Sequence, residues 1–239
     1  MSVIINLSPR VLLLFAAAMA LSACAYSGER AGNSLSLSMT WFSYLDAGDL
    51  RKACAAGGPD GYRIAFNGNY EEQLRTYDVT AIGTPNAAGG ATMAVRVRGK
   101  TGDVLNFRLN DPLESWRGDQ SRVALSATDL AALRQSLADS AAFGPAPQGL
   151  ELKSQGFYWI VAACQGGRFT YTAWQWPGAA YEALRFPAVL ASLDRTAVPL
   201  NPPRDTTPQY PVGRGVGDQP NHFQLRVGKD GIANLLTAF

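Results

Sequence analysis

Residues 157–176 read FYWIVAACQGGRFTYTAWQW. Two runs rich in aromatic and β-branched residues flank Gln165-Gly166-Gly167. That is a hairpin signal, because glycine takes positive φ at little steric cost and tight hairpin turns need it. The run is denser in aromatics than a strand pair requires: Tyr158, Trp159, Phe169, Tyr171, Trp174 and Trp176 all fall within it. Successive strand residues point to opposite faces, so in a one-sided sheet one set of these rings would face away from the core. The pattern from Tyr181 to Arg195 is helical but broken by Pro187. It predicts a turn followed by a helix that opens at the proline, and this helix is the expected cover for the second set of rings. Left uncovered, they would form a binding surface for a sugar or a partner protein.

Before the hairpin, Ser126 followed by Asp129 is a variant of the capping box. Leu130, Leu133, Leu137 and Ala141 then form one helical stripe that Gly144-Pro145 stops. Tyr62, Ile64 and Phe66 alternate with Arg63, Ala65 and Asn67 and lead to a turn signal at Asn67-Gly68-Asn69, with a long strand expected over 70–82. Met93, Val95 and Val97 alternate with Ala94, Arg96 and Arg98. Leu105, Phe107 and Leu109 alternate again after Gly99-Lys100-Thr101-Gly102, which predicts a second hairpin, and 111–119 reads as turn-rich. Trp41, Phe42, Leu45, Leu50 and Ala53 recur at helical spacing, with Gly48 as a weak point. Near the C-terminus a proline-rich loop over 199–222 precedes an alternating stretch at Phe223, Leu225 and Val227; Lys229-Asp230-Gly231 turns and Ile232 to Leu236 pairs back. Together these predict a single α+β domain over 39–239. Its core would be a mainly antiparallel sheet of five to seven strands, with two or three helices packed on one face.

Residues 11–20, VLLLFAAAMA, form an unbroken apolar run after Arg10, and Leu21-Ser22-Ala23-Cys24 follows. The layout is that of a secretory signal, and the run is well short of the roughly 20 residues that span a bilayer. Leu21-Ser22-Ala23-Cys24 resembles the lipobox of bacterial membrane lipoproteins. The resemblance implies a signal peptide over 1–23, lipid on the Cys24 thiol, a tether over 24–38, and attachment to the bacterial cell envelope. Ala25 stands where an Asp retains some members of that class in the inner membrane, so the resemblance leans to the outer membrane, facing the periplasm. Several acyl chains anchor stably where one would be marginal. It covers these first residues alone and implies nothing about the folded domain.

With Cys24 set aside, Cys54 and Cys164 remain. In an oxidising compartment such a pair is a disulfide candidate; two separate buried thiols are the alternative. A net charge of +2 on 239 residues argues against nucleic acid. A single histidine, His222, excludes a multi-histidine metal centre, and no metal or cofactor is expected. There is no G-x-S-x-G. The glycines of 212–218 lack the G-K-[ST] of a phosphate loop, and Glu71 and Glu72 are neighbours that a strand would point apart. If Ile64, Val95, Val97, Phe107 and Leu109 face the core, Arg63, Arg96, Arg98 and Arg108 share the other face. Guanidinium groups on a rigid sheet bind anions bidentately; in an envelope these are lipid headgroups, lipopolysaccharide phosphates or glycan carboxylates. The plainer reading is a solvated face balanced by Glu71, Glu72 and Asp78. The expectation is therefore a lipid-anchored, non-enzymatic structural or binding module, its partner an envelope protein or an anionic glycan or lipid. Its rivals are an envelope hydrolase whose site carries no known motif and a small-molecule-binding module with its pocket under the aromatic hairpin.

Overall fold

The structure, a computed structural model, describes residues 41–70, 72–82, 89–99, 119–206, 223–235 and 237. Phe157–Gln165 (β6) and Arg168–Trp176 (β7) form the expected hairpin. Gly166 and Gly167 have φ of 57° and 77°, the pair of positive angles that matches a two-residue turn to strand twist. The Gly166 amide donates to Asp60 Oδ1 at 2.8 Å, and Asp60 Oδ2 accepts from Arg134 at 3.2 Å. One buried carboxylate thus joins the hairpin tip to the second helix.

β6 pairs on its other side with β1 (Gly61–Gly68). From β1 the sheet continues through β2 (Leu74–Ala81), β3 (Ala91–Arg98) and β4 (Asp119–Leu125). All neighbours are antiparallel, in the order β4-β3-β2-β1-β6-β7. A second, two-stranded sheet pairs β5 (Glu151–Lys153) with β8 (Gln224–Arg226). The helices are α1 (Gly48–Ala55), α2 (Ala127–Asp139), α3 (Ala179–Glu182) and α4 (Phe186–Leu193). A helical segment over 41–46 precedes α1, and the break falls at Ala47, whose φ is 52°. The α+β class and the mainly antiparallel sheet are those expected from the sequence.

Three particulars differ. β3 is laddered by β2 on one side and by β4 on the other, so no edge of 93–97 is left to pair with 105–109, which lie outside the described residues. β4 escaped the pattern because two of its four inward positions, Asp119 and Ser121, are polar, which leaves Val123 and Leu125 as its only apolar inward residues. The helices do not all share a face. Leu130, Leu133 and Leu137 of α2 and Phe186 and Leu190 of α4 pack on Tyr62, Ile64, Tyr77, Val95, Trp159 and Val161. The opposite face, with Ala65, Tyr158, Ile160, Ala162 and Tyr171, is covered by Trp41, Phe42, Tyr44 and Leu45 of the helical segment and by Leu152 and Leu225 of the small sheet.

Local signals held where they were chemically specific. The Ser126 hydroxyl accepts from the Asp129 amide, and the Asp129 carboxylate from the Ser126 amide, a complete capping box. Pro187 sits in the first turn of α4. Cys54 and Cys164 are disulfide-bonded with Cα atoms 5.5 Å apart, fastening α1 to the end of β6. The bridge joins positions 110 residues apart, and a loop of that order stabilises by up to about 4.7 kcal/mol on the chain-entropy account. Replacing both cysteines by alanine is expected to lower the unfolding free energy by about 2–5 kcal/mol. Chemical denaturation of the double variant, with a mass change of the native protein on reduction, checks this.

Candidate functional site

Sheet parity places Arg63, Arg96 and Arg98 on one face, with Arg122 of β4 joining them. Arg108 lies outside the described residues, as do Cys24, Glu71 and His222. Arg63 is not an open anion site. Its guanidinium donates to both oxygens of Asp49 at 2.7 and 2.8 Å and to Asp78 at 3.2 Å, and it lies 4.4 Å over the Tyr44 ring. The Arg63 hydrogen bonds hold the Asp49 carboxyl below its ordinary value. Arg63 therefore fastens α1 and the 41–46 segment to the sheet.

Arg96, Arg98 and Arg122 stand on the part of this face beyond that cover. Arg122 is opposite Ala94, and Arg96 is opposite Gln120. Alternate strand residues and diagonal cross-strand residues are about 7 Å apart, so Arg96 neighbours both Arg98 and Arg122 in a short row that has those two at its ends. Arg96 and Arg98 are half-buried and Arg122 is exposed. Of the acids expected to balance them, Asp78 pairs with Arg63, and Glu72 with Arg204 and, at 2.7 Å, Asn201, while Glu71 lies outside the described residues. On this face β3 carries Thr92, Ala94, Arg96 and Arg98, and β4 carries Gln120, Arg122 and Ala124. Neither strand contributes an acid, so the patch is net positive among the described residues. Arg122 went unnoticed in the sequence because its strand did.

A second candidate lies on the opposite face. A cleft of about 420 Å³ opens between the end of β7, α3, the start of α4 and residues 200–203. Phe66 and Trp159 make its floor, Trp176 and Tyr181 its aromatic side, and Leu200, Pro202 and Pro203 its far wall. The floor rings are wedged. Phe66 and Trp159 centroids are 4.6 Å apart, and Phe186 meets Trp159 edge-on at 5.2 Å. The helix expected to cover the tryptophans does cover Trp159 and Trp174, while the rim of Trp176 stays half-exposed. Burial raises the Tyr181 hydroxyl to about 12, with the Trp159 indole lowering it by a hydrogen bond. At neutral pH Tyr181 therefore keeps its proton.

The far wall is held from beneath by a buried ion pair. Arg75 projects into the apolar side of β2 and meets Asp194 at 2.6 Å, with both side chains almost fully buried. Arg75 also donates to the Val198 carbonyl at 2.5 Å, and Tyr77 donates to Asp194 at 3.3 Å. Gln73 donates to the Pro199 carbonyl at 2.9 Å and accepts from the Asn201 amide at 3.0 Å. Nothing in the local pattern signals a pair 119 positions apart. Among the described residues, no group of three or more His, Cys, Asp or Glu side chains comes together to hold a metal ion.

No protein-family model matches this chain, and no curated protein or solved structure is similar to it at a significant level.

Removing one member of a buried pair leaves the other charge unpaired, which costs about 3–5 kcal/mol. Arg75→Met and Asp194→Leu are each expected to destabilise by that amount. The double variant should recover much of the loss, because both charges then go together. Urea denaturation of the two single variants and the double variant measures the coupling.

Proposed function

We propose that this chain is a lipid-anchored protein of the bacterial envelope, in which a non-enzymatic binding domain is held to the membrane through Cys24. The observation that carries the reading is Leu21-Ser22-Ala23-Cys24 directly after the apolar run of 11–20. The Cys54–Cys164 disulfide supports it independently, since structural disulfides persist in oxidising compartments and are rare where thiols are kept reduced. Ala25 favours the outer membrane. The first described segment, 41–46, packs on the same side of the sheet as the arginines. Anionic headgroups of the anchoring surface would complement the Arg96, Arg98 and Arg122 patch.

The binding role is favoured over hydrolysis by the composition of the two surfaces. Among the described residues the cleft is lined by one carboxylate, Glu182, with no histidine, cysteine or second acid. General acid–base or nucleophilic catalysis needs at least two such groups within hydrogen-bond reach. The arginine patch offers guanidinium donors with no carboxylate or histidine from β3 or β4 on that face, and such donors bind anions without activating a nucleophile.

In cells supplied with a labelled fatty acid, the wild-type protein should carry label and sediment with membranes. Cys24→Ser should lose both; unchanged labelling and fractionation would overturn the anchor. On vesicles containing anionic phospholipid, Arg98→Ala/Arg122→Ala in the Cys24→Ser background should bind several-fold more weakly than Cys24→Ser alone. That difference should vanish at high salt, as expected for screened charge contacts. Equal binding on neutral and anionic vesicles would remove the patch from the reading.

A further inference from the structure

We propose that the aromatic cleft binds a neutral saccharide, with the apolar face of a pyranose ring stacked on Trp176 and Tyr181. The cleft has the dimensions and lining of a small-molecule site. Its volume of about 420 Å³ lies in the usual range of roughly 300–1,000 Å³, and it is mainly apolar with few polar groups. Its floor is preformed. Phe66 and Trp159 are held at 4.6 Å and fixed from the side by Phe186, and Trp176 is braced edge-on by Phe157 at 6.3 Å. Rings that need not reorder on binding lose little entropy when a ligand stacks on them.

Charge narrows the ligand. Among the described residues the lining holds the Glu182 carboxylate and no lysine, arginine or histidine. A phosphate or carboxylate ligand would be repelled there, in contrast to the arginine patch on the other face. Hydrogen-bonding chemistry narrows it further. The Glu182 carboxylate is exposed at the cleft, so it can accept from a donor on the ligand. Tyr181 keeps its hydroxyl proton while the Trp159 indole occupies one of its lone pairs, so it offers a donor. A sugar hydroxyl both donates and accepts and can satisfy each in turn. A proline-rich peptide, the other common guest of aromatic grooves, offers mainly carbonyl acceptors and would leave Glu182 unmet. A purely aliphatic ligand would make neither hydrogen bond.

The far wall gives the site its shape. Leu200, Pro202 and Pro203 line the cleft from a segment that Arg75, Asp194 and Gln73 fix to β2. The cleft opens on the side of the sheet opposite the 41–46 segment. The binding itself rests on the cleft alone.

The test titrates the detergent-solubilised full chain with a neutral N-acetylglucosamine trimer, following tryptophan fluorescence and calorimetric heat, with an oligogalacturonate as the acidic control. The neutral trimer should bind and quench, and the acidic one should bind at least about tenfold more weakly. Trp176→Ala should weaken the trimer by at least about tenfold, the scale of one lost stacking contact. Should Trp176→Ala fail to fold, Tyr181→Phe and Glu182→Gln decide, since each keeps the shape of the residue it replaces. Each should weaken the trimer several-fold while Arg98→Ala/Arg122→Ala leaves it unchanged. Absence of binding by the folded protein, equal affinity in Tyr181→Phe and Glu182→Gln, preference for the acidic oligomer, or displacement by a proline-rich peptide would each overturn the proposal. None of these outcomes depends on membrane attachment, so failure here and failure of the anchor are separable.

Discussion

Strand β6 is apolar on both faces, and the architecture follows from that. Every residue from Phe157 to Cys164 is buried, so neither face of the sheet centre is open to water. Burying a large apolar side chain is worth about 1.5–3 kcal/mol, and a nine-residue strand with an exposed face would forfeit several such gains. Two covers are therefore required. One is α2 with α4, which meets Trp159 and Val161. The other is the 41–46 segment with the β5–β8 pair, which meets Tyr158, Ile160 and Ala162. The disulfide fastens α1 to β6 at its end. Among the described residues the second cover stops away from β6, and the alternation of buried and half-buried residues along β3 marks the place. Arginines are tolerated on β3 and β4 because that face no longer has to be dry.

What was legible in the sequence is what a few adjacent residues decide between themselves. The Gln165-Gly166-Gly167 turn, the Ser126–Asp129 box and the proline at the start of α4 are all of this kind and stand as read; the stripe stands through Leu137, but α2 ends at Asp139 and Ala141 has φ of 57°, so the helix stops short of Gly144-Pro145. Parity along β1 and β3 is also local, and it assigned Arg63, Arg96 and Arg98 to a common face. The use of those arginines is not local. Arg63 lies 14 positions from Asp49 in sequence and touches it only because α1 folds across β1. A continuous apolar run such as FYWIVAAC cannot reveal whether one cover or two will be needed, and this is why the helices were expected on a single face. β4 was hidden by the opposite problem: an edge strand with polar inward positions has almost no hydrophobic period to detect.

The Arg75–Asp194 pair bears on both stability and site. Position 75 shares its parity with Tyr77 and Val79, so an aliphatic residue would have been the simple choice. Replacing a buried ion pair by well-packed apolar residues is often neutral or stabilising, so its presence is poorly explained by stability alone. What the pair does that a leucine could not is direct. Arg75 spans from Asp194 after α4 to the Val198 carbonyl and so fixes the path of the chain into 200–203. Those residues are the wall of the cleft. A directional, geometry-specific contact has been placed where the shape of a cavity depends on it.

The two candidate surfaces are opposite in chemistry as well as in position. On one face guanidinium groups gather with no acid beside them on β3 or β4; on the other a lone carboxylate sits among aromatic rings. An anion that suits the first is repelled by the second, and a ring that stacks in the second finds no aromatic platform among the outward residues of β3 and β4. One sheet can hold both because its centre is sealed on each side, so neither surface needs to serve as the other's core. Neither surface needs a conformational change to expose it, and occupancy of one leaves the other open.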